Sequence, residues 1–236
     1  MRNLALMWVL AVCLLGCGGD KGDKNKAAQA ADTVATFTDT RDGKVYRIVE
    51  IGSQTWFAEN LNYAAEGSKC YGEGGQVIIG YNKYDKAIIT TLSNVEVQAN
   101  CAKYGRLYDW ETALTACPAG THLPTDEEWT RLADYVGGWK TAGTKLKSST
   151  GWGNYKNVPA VTDEYGFSAL PGGFRTSGGR FYDAGGKGFW WSATEYNVSN
   201  AWYRNMHYCF KYVNWYNYYK TNLISVRCVQ DKDGTK

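Results

Sequence analysis

"KYGRLYDWETALTACPAGTHLPTDEEWTRLADYVGG", residues 103–138, carries the plainest local structure in the chain. Asp109 stands where a helix cap belongs, and Trp110, Ala113, Leu114 and Cys117 follow at i, i+3, i+4 and i+7, the spacing of one helix face. Pro118 stops that helix. A second start comes at Thr125-Asp126-Glu127-Glu128. There the Thr125 hydroxyl accepts from the Glu128 amide while the Glu128 carboxylate reaches back to the Thr125 amide, which is a capping box. Trp129, Leu132, Ala133 and Val136 then form one apolar stripe, and Gly137-Gly138 ends the helix. The acidic run needs no acid/base role, because capping and the positive end of the helix dipole account for it.

Around these two helices the chain reads as short strands and loops. "TFTDTRDGKVYRIVEIGSQTWFAENL" (36–61) predicts strand, turn, strand, turn, strand, with Asp42-Gly43 as a two-residue hairpin between runs rich in Thr, Val, Ile and Tyr. Residues 63–100 read as irregular and polar. Beyond "KLKSSTGW" (145–152) the chain is rich in Gly and aromatics, as in "GGRFYDAGGKGFWWSATE" (178–195). This predicts long ordered loops holding buried Trp190 and Trp191. The last segments, including "SVRCVQD" (225–231), alternate as strands do.

The N-terminus has another composition. Arg2 precedes an apolar run from Leu4 to Leu15, too short to cross a membrane comfortably and laid out as a secretory signal. Leu14-Leu15-Gly16-Cys17 resembles a bacterial lipobox, so residues 1–16 are expected to be a signal peptide and Cys17 the lipid-bearing first residue. Gly18 stands where an inner-membrane retention Asp would stand, which favours the outer membrane. Residues 17–35 are rich in Gly, Lys, Asp and Ala without aromatics and read as a tether. Residues 36–236 make one domain, long enough for a sizeable core.

The chain carries a formal charge of +3, and removing residues 1–16 takes away only Arg2. No basic block exists and opposite charges are interspersed, so nucleic acid is not an expected partner. Besides Cys13 and Cys17, the cysteines are Cys70, Cys101, Cys117, Cys209 and Cys228. An odd number leaves at least one thiol without an intramolecular partner, in a compartment that permits disulfides. His122 and His207 are the only histidines, and no spacing suggests zinc. No metal, cofactor or catalytic residue is expected.

The most unusual composition lies in "WYRNMHYCFKYVNWYNYYKTN", residues 202–222, where nine of 21 positions are Trp, Tyr or Phe. Trp190, Trp191 and Trp202 fit a core. A core does not also take Asn205, Asn214, Asn217 and Asn222 unpaired. Tyr supplies stiff contact area at low entropic cost and Asn supplies adaptable hydrogen bonds, the chemistry of a binding surface. The interleaved Lys and Arg suit cation–π contacts. The candidate ligand-binding residues are Trp202, Tyr203, Asn205, His207, Tyr208, Phe210, Tyr212, Asn214, Trp215, Tyr216, Asn217, Tyr218, Tyr219 and Asn222, for a glycan or a protein surface.

Four phrases in order carry a family resemblance: "GSQTWFAENLNY" (52–63), the quoted 103–138, "YGFSALPGGFR" (165–175) with "FWWSATE" (189–195), and "SVRCV" (225–229). Together they resemble the Fibrobacter succinogenes major paralogous domain (FISUMP), a family of bacterial surface-associated modules, over roughly Thr36 to Asp231. "HLPTDEEW" and "SVRCV" are also similar to the sulfatase-modifying, formylglycine-generating family, whose fold is of the C-type-lectin type. The resemblance implies an α+β, C-type-lectin-like domain with two helices, short antiparallel strands, long ordered loops, and paired N- and C-terminal strands. On that fold Cys117 bridges to Cys228, Cys70 bridges to Cys101, and Cys209 is left over.

Two departures bear on function. The Glu-Pro-Asn, Gln-Pro-Asp and Trp-Asn-Asp signatures of calcium-dependent sugar-binding lectins do not occur. Formylglycine-generating enzymes hold copper with two thiols; Cys209 fits the place of the first, but Asn214 fills the second, and one soft ligand does not hold copper as a pair does. The expected function is therefore a non-catalytic, lipid-anchored binding or adhesion module at the outer membrane and cell surface. The alternatives are a degenerate oxidoreductase using Cys209 and a structural envelope protein. From His207 to Ile224, all but Lys211, Trp215 and Lys220 can be encoded by codons ending in C or T. This is the pattern expected if adenine mutagenesis by a diversity-generating retroelement varies the segment.

Overall fold

A computed structural model of the chain describes residues 34–153 and 160–231. The expected signal peptide (1–16), the lipid-bearing Cys17 and the tether as far as residue 33 lie outside the described residues. The domain is α+β, and its described residues carry four helices and three sheets, one antiparallel and two mixed.

β1 (Thr36–Thr38), β2 (Val45–Ile51) and β3 (Gln54–Phe57) form the expected antiparallel meander. The two-residue turn falls at Gly52-Ser53, between paired Ile51 and Gln54, with Gly52 at φ 63°. The turn at Asp42-Gly43 is wider than expected. There Asp39 N–H donates to Lys44 O at 2.8 Å, and the Asp39 carboxylate organises the loop by accepting from Arg41 N and Nε at 3.0 and 2.9 Å.

The stretch expected to be irregular instead holds a hairpin of β4 (Gln76–Tyr81) and β5 (Ala87–Thr90), then α1 (Asn94–Tyr104). Ser93 and Glu96 cap α1 with a box of the same form as Thr125 and Glu128. Only Val97, Cys101 and Tyr104 of α1 are buried, so its apolar period is too faint to read among polar neighbours.

β6 (Leu107–Tyr108) leads into α2 (Trp110–Ala116), whose Asp109 cap accepts from Thr112 N at 2.8 Å. α2 is shorter than its spacing suggested: Cys117 is already extended, and the buried face is Trp110, Ala113 and Ala116, with Leu114 exposed. After β7 (Thr121–His122) comes α3 (Asp126–Tyr135), with both bonds of its capping box formed and Trp129, Leu132 and Ala133 buried. Gly137-Gly138 ends α3 but also turns the chain straight into α4 (Trp139–Leu146). Helices α1 and α4 thus raise the expected two to four.

The rest is β8 (Phe174–Arg175), β9 (Arg180–Tyr182), β10 (Lys187–Asn197), β11 (Asn200–His207), β12 (Asn214–Tyr219), β13 (Ile224–Ser225) and β14 (Val229–Gln230). Trp190 and Trp191 are buried as expected, but in the long strand β10 rather than in a loop. The sheets run β1-β2-β3-β14-β7, β12-β11-β10-β13-β6 and β5-β4-β9-β8. The last strand joins the N-terminal meander at its third strand rather than its first, with Val229 on β14 opposite Trp56 on β3. Disulfides Cys70–Cys101 and Cys117–Cys228 form as the resemblance implied, and Cys209 is the free thiol among the described residues. By the chain-entropy model, closing loops of this length contributes about 3–5 kcal/mol each.

A polar knot lies at the centre. Arg227 is fully buried, and among the described residues no carboxylate contacts its guanidinium; burial pushes its pKa down from the ordinary arginine range. It donates through Nη2 and Nε to Asn60 Oδ1 at 2.8 and 3.3 Å and through Nη1 to the carbonyls of Phe57 and Phe167, over whose ring it lies. Asn60 Oδ1 also accepts from Trp190 Nε1 at 2.8 Å, while its Nδ2 donates to Tyr104 O at 2.8 Å. One amide thus ties the first sheet, α1, β10 and the last strands together. We expect Asn60→Ala to lower stability by about 3 kcal/mol or more, because it strands a buried cation and an indole N–H. Urea unfolding followed by tryptophan fluorescence measures the change.

Candidate functional site

β11 and β12 form the end of the second sheet, joined by the turn at residues 208–213. The register sets Trp202 opposite Asn217, Arg204 opposite Trp215, and Asn200 opposite Tyr219 on one face. The other face pairs Tyr203 with Tyr216, Ala201 with Tyr218, and Asn205 with Asn214.

Of the predicted ligand-binding residues, Tyr203, Asn205 and Asn222 are buried and belong to the packing. Asn205 Nδ2 donates to Gly188 O at 2.9 Å, and Asn222 Oδ1 accepts from Ser177 N at 2.9 Å. The argument that a core would not take these asparagines fails because each finds a backbone partner, which no local pattern reveals. Tyr203 packs against Phe189 and Tyr218, and Tyr218, half-buried, packs against Phe174. Burial raises the pKa of both phenols.

Trp215, Tyr216 and Tyr219 remain 45, 53 and 60% exposed. Trp202 is half-buried with Tyr196 packed edge-on at 4.9 Å, and Asn217 Oδ1 accepts from Asn200 Nδ2 at 2.8 Å. Asn214 is half-buried at the start of β12. In the turn, Phe210 stacks on Tyr212 at 4.7 Å and His207 lies 4.9 Å from Phe210 and 4.4 Å from Tyr208, all at least partly accessible. The structure therefore brings Trp202, Trp215, Asn217 and Tyr219 onto one face and His207, Tyr208, Phe210 and Tyr212 into an adjoining turn. Tyr216 and Asn214 are on the opposite face.

Residues elsewhere in the sequence fix this surface. Trp139, opening α4, meets Trp215 edge-on at 5.5 Å. Arg204 is buried on the face of Trp215 and binds the side chain of Asp126, with Nη2 also donating to Asp126 O at 3.0 Å and Thr130 Oγ1 at 3.2 Å. Lys147 is buried, and its Nζ donates to the carbonyls of His207, Tyr208 and Phe210 at 3.0, 3.4 and 2.8 Å. Burial pushes the Lys147 pKa down to about 8. At Gly143 a Cβ would stand 2.7 Å from Tyr212 O, so only glycine lets α4 approach the turn so closely. Lys147 and Trp139 carried no sequence signal, since their partners lie about 60 residues or more away.

Two titratable clusters stand out. Cys209 Sγ lies 2.9 Å from His207 Nδ1, which also accepts from Cys209 N at 3.3 Å. Burial, then Lys187, hold the His207 pKa below its usual value. The second cluster is His122, with Nε2 2.9 Å from Glu128 Oε1 and Nδ1 2.6 Å from Asp231 Oδ1. The glutamate that caps α3 thus also binds β7, and the same imidazole reaches Asp231 just after β14. No group of three or more His, Cys, Asp or Glu in a metal-holding arrangement occurs among the described residues.

The Glu128 bond raises the His122 pKa from 6.5 to about 9, against the opposing effect of burial, with Asp231 adding to the rise. A base whose folded pKa is raised contributes stability that is full below the unfolded value and lost as pH rises through the folded one. We therefore expect the urea midpoint to decline from pH 6.5 through about 9, and this decline to be absent in His122→Asn. A separate loss on the acid side comes from Glu128, whose pKa is lowered by His122 and Thr125 despite burial.

The Fibrobacter succinogenes major domain matches residues 49–230, which contain the Asn60–Arg227 knot, both disulfides and the β11–β12 surface. Neither the curated proteins nor the solved structures include a match. With most of its length inside that match, the chain belongs to the Fibrobacter succinogenes major domain family.

Proposed function

We propose that this protein is a lipid-anchored surface module that binds a ligand, without catalysis, through β11, β12 and the turn between them. The observation that carries this reading is the exposure of Trp215, Tyr216 and Tyr219 on an otherwise closely pinned scaffold. Large aromatics left in water on a rigid frame are usual at interaction sites. The scaffold is of the C-type-lectin kind, and Cys17 carries the lipid that holds it at the outer membrane. The positions at 207–224 that do not anchor the frame are those a diversity-generating retroelement would vary.

The experiment is a binding screen of the protein against arrayed glycans and bacterial surface proteins, repeated with Trp215→Ala/Tyr219→Ala. The expected result is at least one ligand whose affinity falls about a hundredfold in the variant, some 2.7 kcal/mol. Its thermal midpoint should stay within about 3 °C of the parent's. An empty screen together with a substantially lower midpoint would make the face a structural one. For the anchor, Cys17→Ser should abolish incorporation of radiolabelled fatty acid and release the protein from membranes.

The contact of Cys209 with His207 favours a second reading, a thiol-dependent oxidoreductase, because thiol nucleophiles work beside an imidazole within hydrogen-bond reach. Cys209→Ser is expected to leave ligand affinity unchanged. Sub-micromolar copper binding that this substitution removes would support the oxidoreductase instead.

A further inference from the structure

We propose that the outer edge of β12 binds an extended segment of a partner polypeptide, which joins the sheet as an added strand; this rests on reading the surface as a ligand face.

The hydrogen-bond pattern shows which backbone groups are open. In an antiparallel ladder, residues alternate between facing the partner strand and facing away. Lys220 N–H donates to Ser199 O at 2.9 Å, one step beyond the paired Asn200 and Tyr219. Alternation from that bond turns the backbone groups of Asn214, Tyr216 and Tyr218 toward β11. It turns those of Trp215, Asn217 and Tyr219 away. The other side of β11 agrees: Tyr208 N–H bonds Gly186 O, so Met206 and Arg204 face β10 while Asn205, Tyr203 and Ala201 face β12.

The outward row is closed at both ends. Val213 N–H donates to Trp139 O at 2.9 Å, and Tyr219 O accepts from Asn222 N at 2.9 Å. Between them, the N–H groups of Trp215, Asn217 and Tyr219 and the carbonyls of Trp215 and Asn217 have no hydrogen-bond partner among the described residues. They alternate donor and acceptor over about 13 Å, four residues at the usual rise of a strand.

Proteins protect such edges with charge, proline, bulges or very short strands. The other terminal strands here have two to four residues. β12 has six, Asn-Trp-Tyr-Asn-Tyr-Tyr, with no charge, Pro or Gly, and its pairing with β11 has no register shift. A regularly spaced row of backbone dipoles complements another extended backbone along its whole length. A sugar would meet only isolated members of it. The matching segment is uncharged, with β-branched or aromatic side chains beside Trp215 and Tyr219 on one face and Tyr216 on the other.

The test uses the full chain and a library of capped peptides of about ten residues, in which Thr, Val, Ile or Tyr alternate with Ser or Gln. Asn217→Pro removes an outward N–H without breaking the β11 ladder, as proline at a strand edge allows. Binding peptides should lose about tenfold or more in affinity on Asn217→Pro, and about threefold or less on Asn217→Ala. N-methylation of alternate peptide amides should abolish binding. Hydrogen exchange at Trp215, Asn217 and Tyr219 should slow when peptide is bound. The proposal is overturned if no peptide binds, if Asn217→Pro binds as the parent does, or if the protein is a dimer that Asn217→Pro dissolves, which would assign the edge to a second copy. If Trp215→Ala/Tyr219→Ala abolishes binding of a glycan or folded protein while Asn217→Pro does not, the ligand face stands and strand addition falls. If neither variant affects any ligand, both fall.

Discussion

A buried cation held by neutral acceptors organises this domain. Arg227 carries its charge into a site shielded from water, where solvation must come from fixed dipoles. Those dipoles are the Asn60 amide and the carbonyls of Phe57 and Phe167, contributed by segments far apart in sequence. Their positions are mutually dependent, since displacing any of them leaves the guanidinium short of an acceptor. Trp190 shares the same amide oxygen, so the aromatic core and the polar knot set each other's geometry. Cys228, adjacent to Arg227, is joined covalently to the end of α2. The last strand is thus held electrostatically at one residue and by a disulfide at the next.

Rigidity passes from that centre to the β11–β12 surface through β10. Trp110 and Trp129 donate to the carbonyls of Ser192 and Trp191, and Trp191 donates to Tyr108 O, so three indoles fix β10 from both sides. β11 is bonded to β10 along most of its length and is further held by the Arg204–Asp126 pair at the start of α3. Only β12 and the turn at 208–213 lie outside this frame. They also carry four exposed aromatics, Phe210, Trp215, Tyr216 and Tyr219.

Where a signal was confined to a few adjacent residues, the sequence could be read. The capping box at Thr125, the stripe through Trp129 and Leu132, the meander through Trp56 and the α+β class all rest on such short-range patterns. α1 and α4 escaped because their apolar faces are narrow and a Gly-Gly pair served as both a stop and a start. Resemblance, rather than spacing, supplied the disulfide pairing. The candidate surface could be marked as a segment but not sorted residue by residue: aromatic density picked out 202–222, yet the burial of Tyr203, Asn205 and Asn222 depends on Gly188, Ser177 and β10. Long-range partners of this kind leave no trace in a local window. The same holds for Lys147 and Trp139.

The turn after β11 is gripped almost entirely through its main chain. Lys147 binds two of its carbonyls and that of His207 just before it, Thr144 N–H donates to Lys211 O at 3.2 Å, and Gly143 gives way to the backbone at Tyr212. None of these contacts reads the side chains of residues 208–212. Position and identity are thereby separated, so substitutions in the turn would alter what it displays without altering where it is displayed. Residues 147 and 143 are correspondingly intolerant, although neither faces the surface they support. The place of the tip thus depends on two positions some 60 residues upstream.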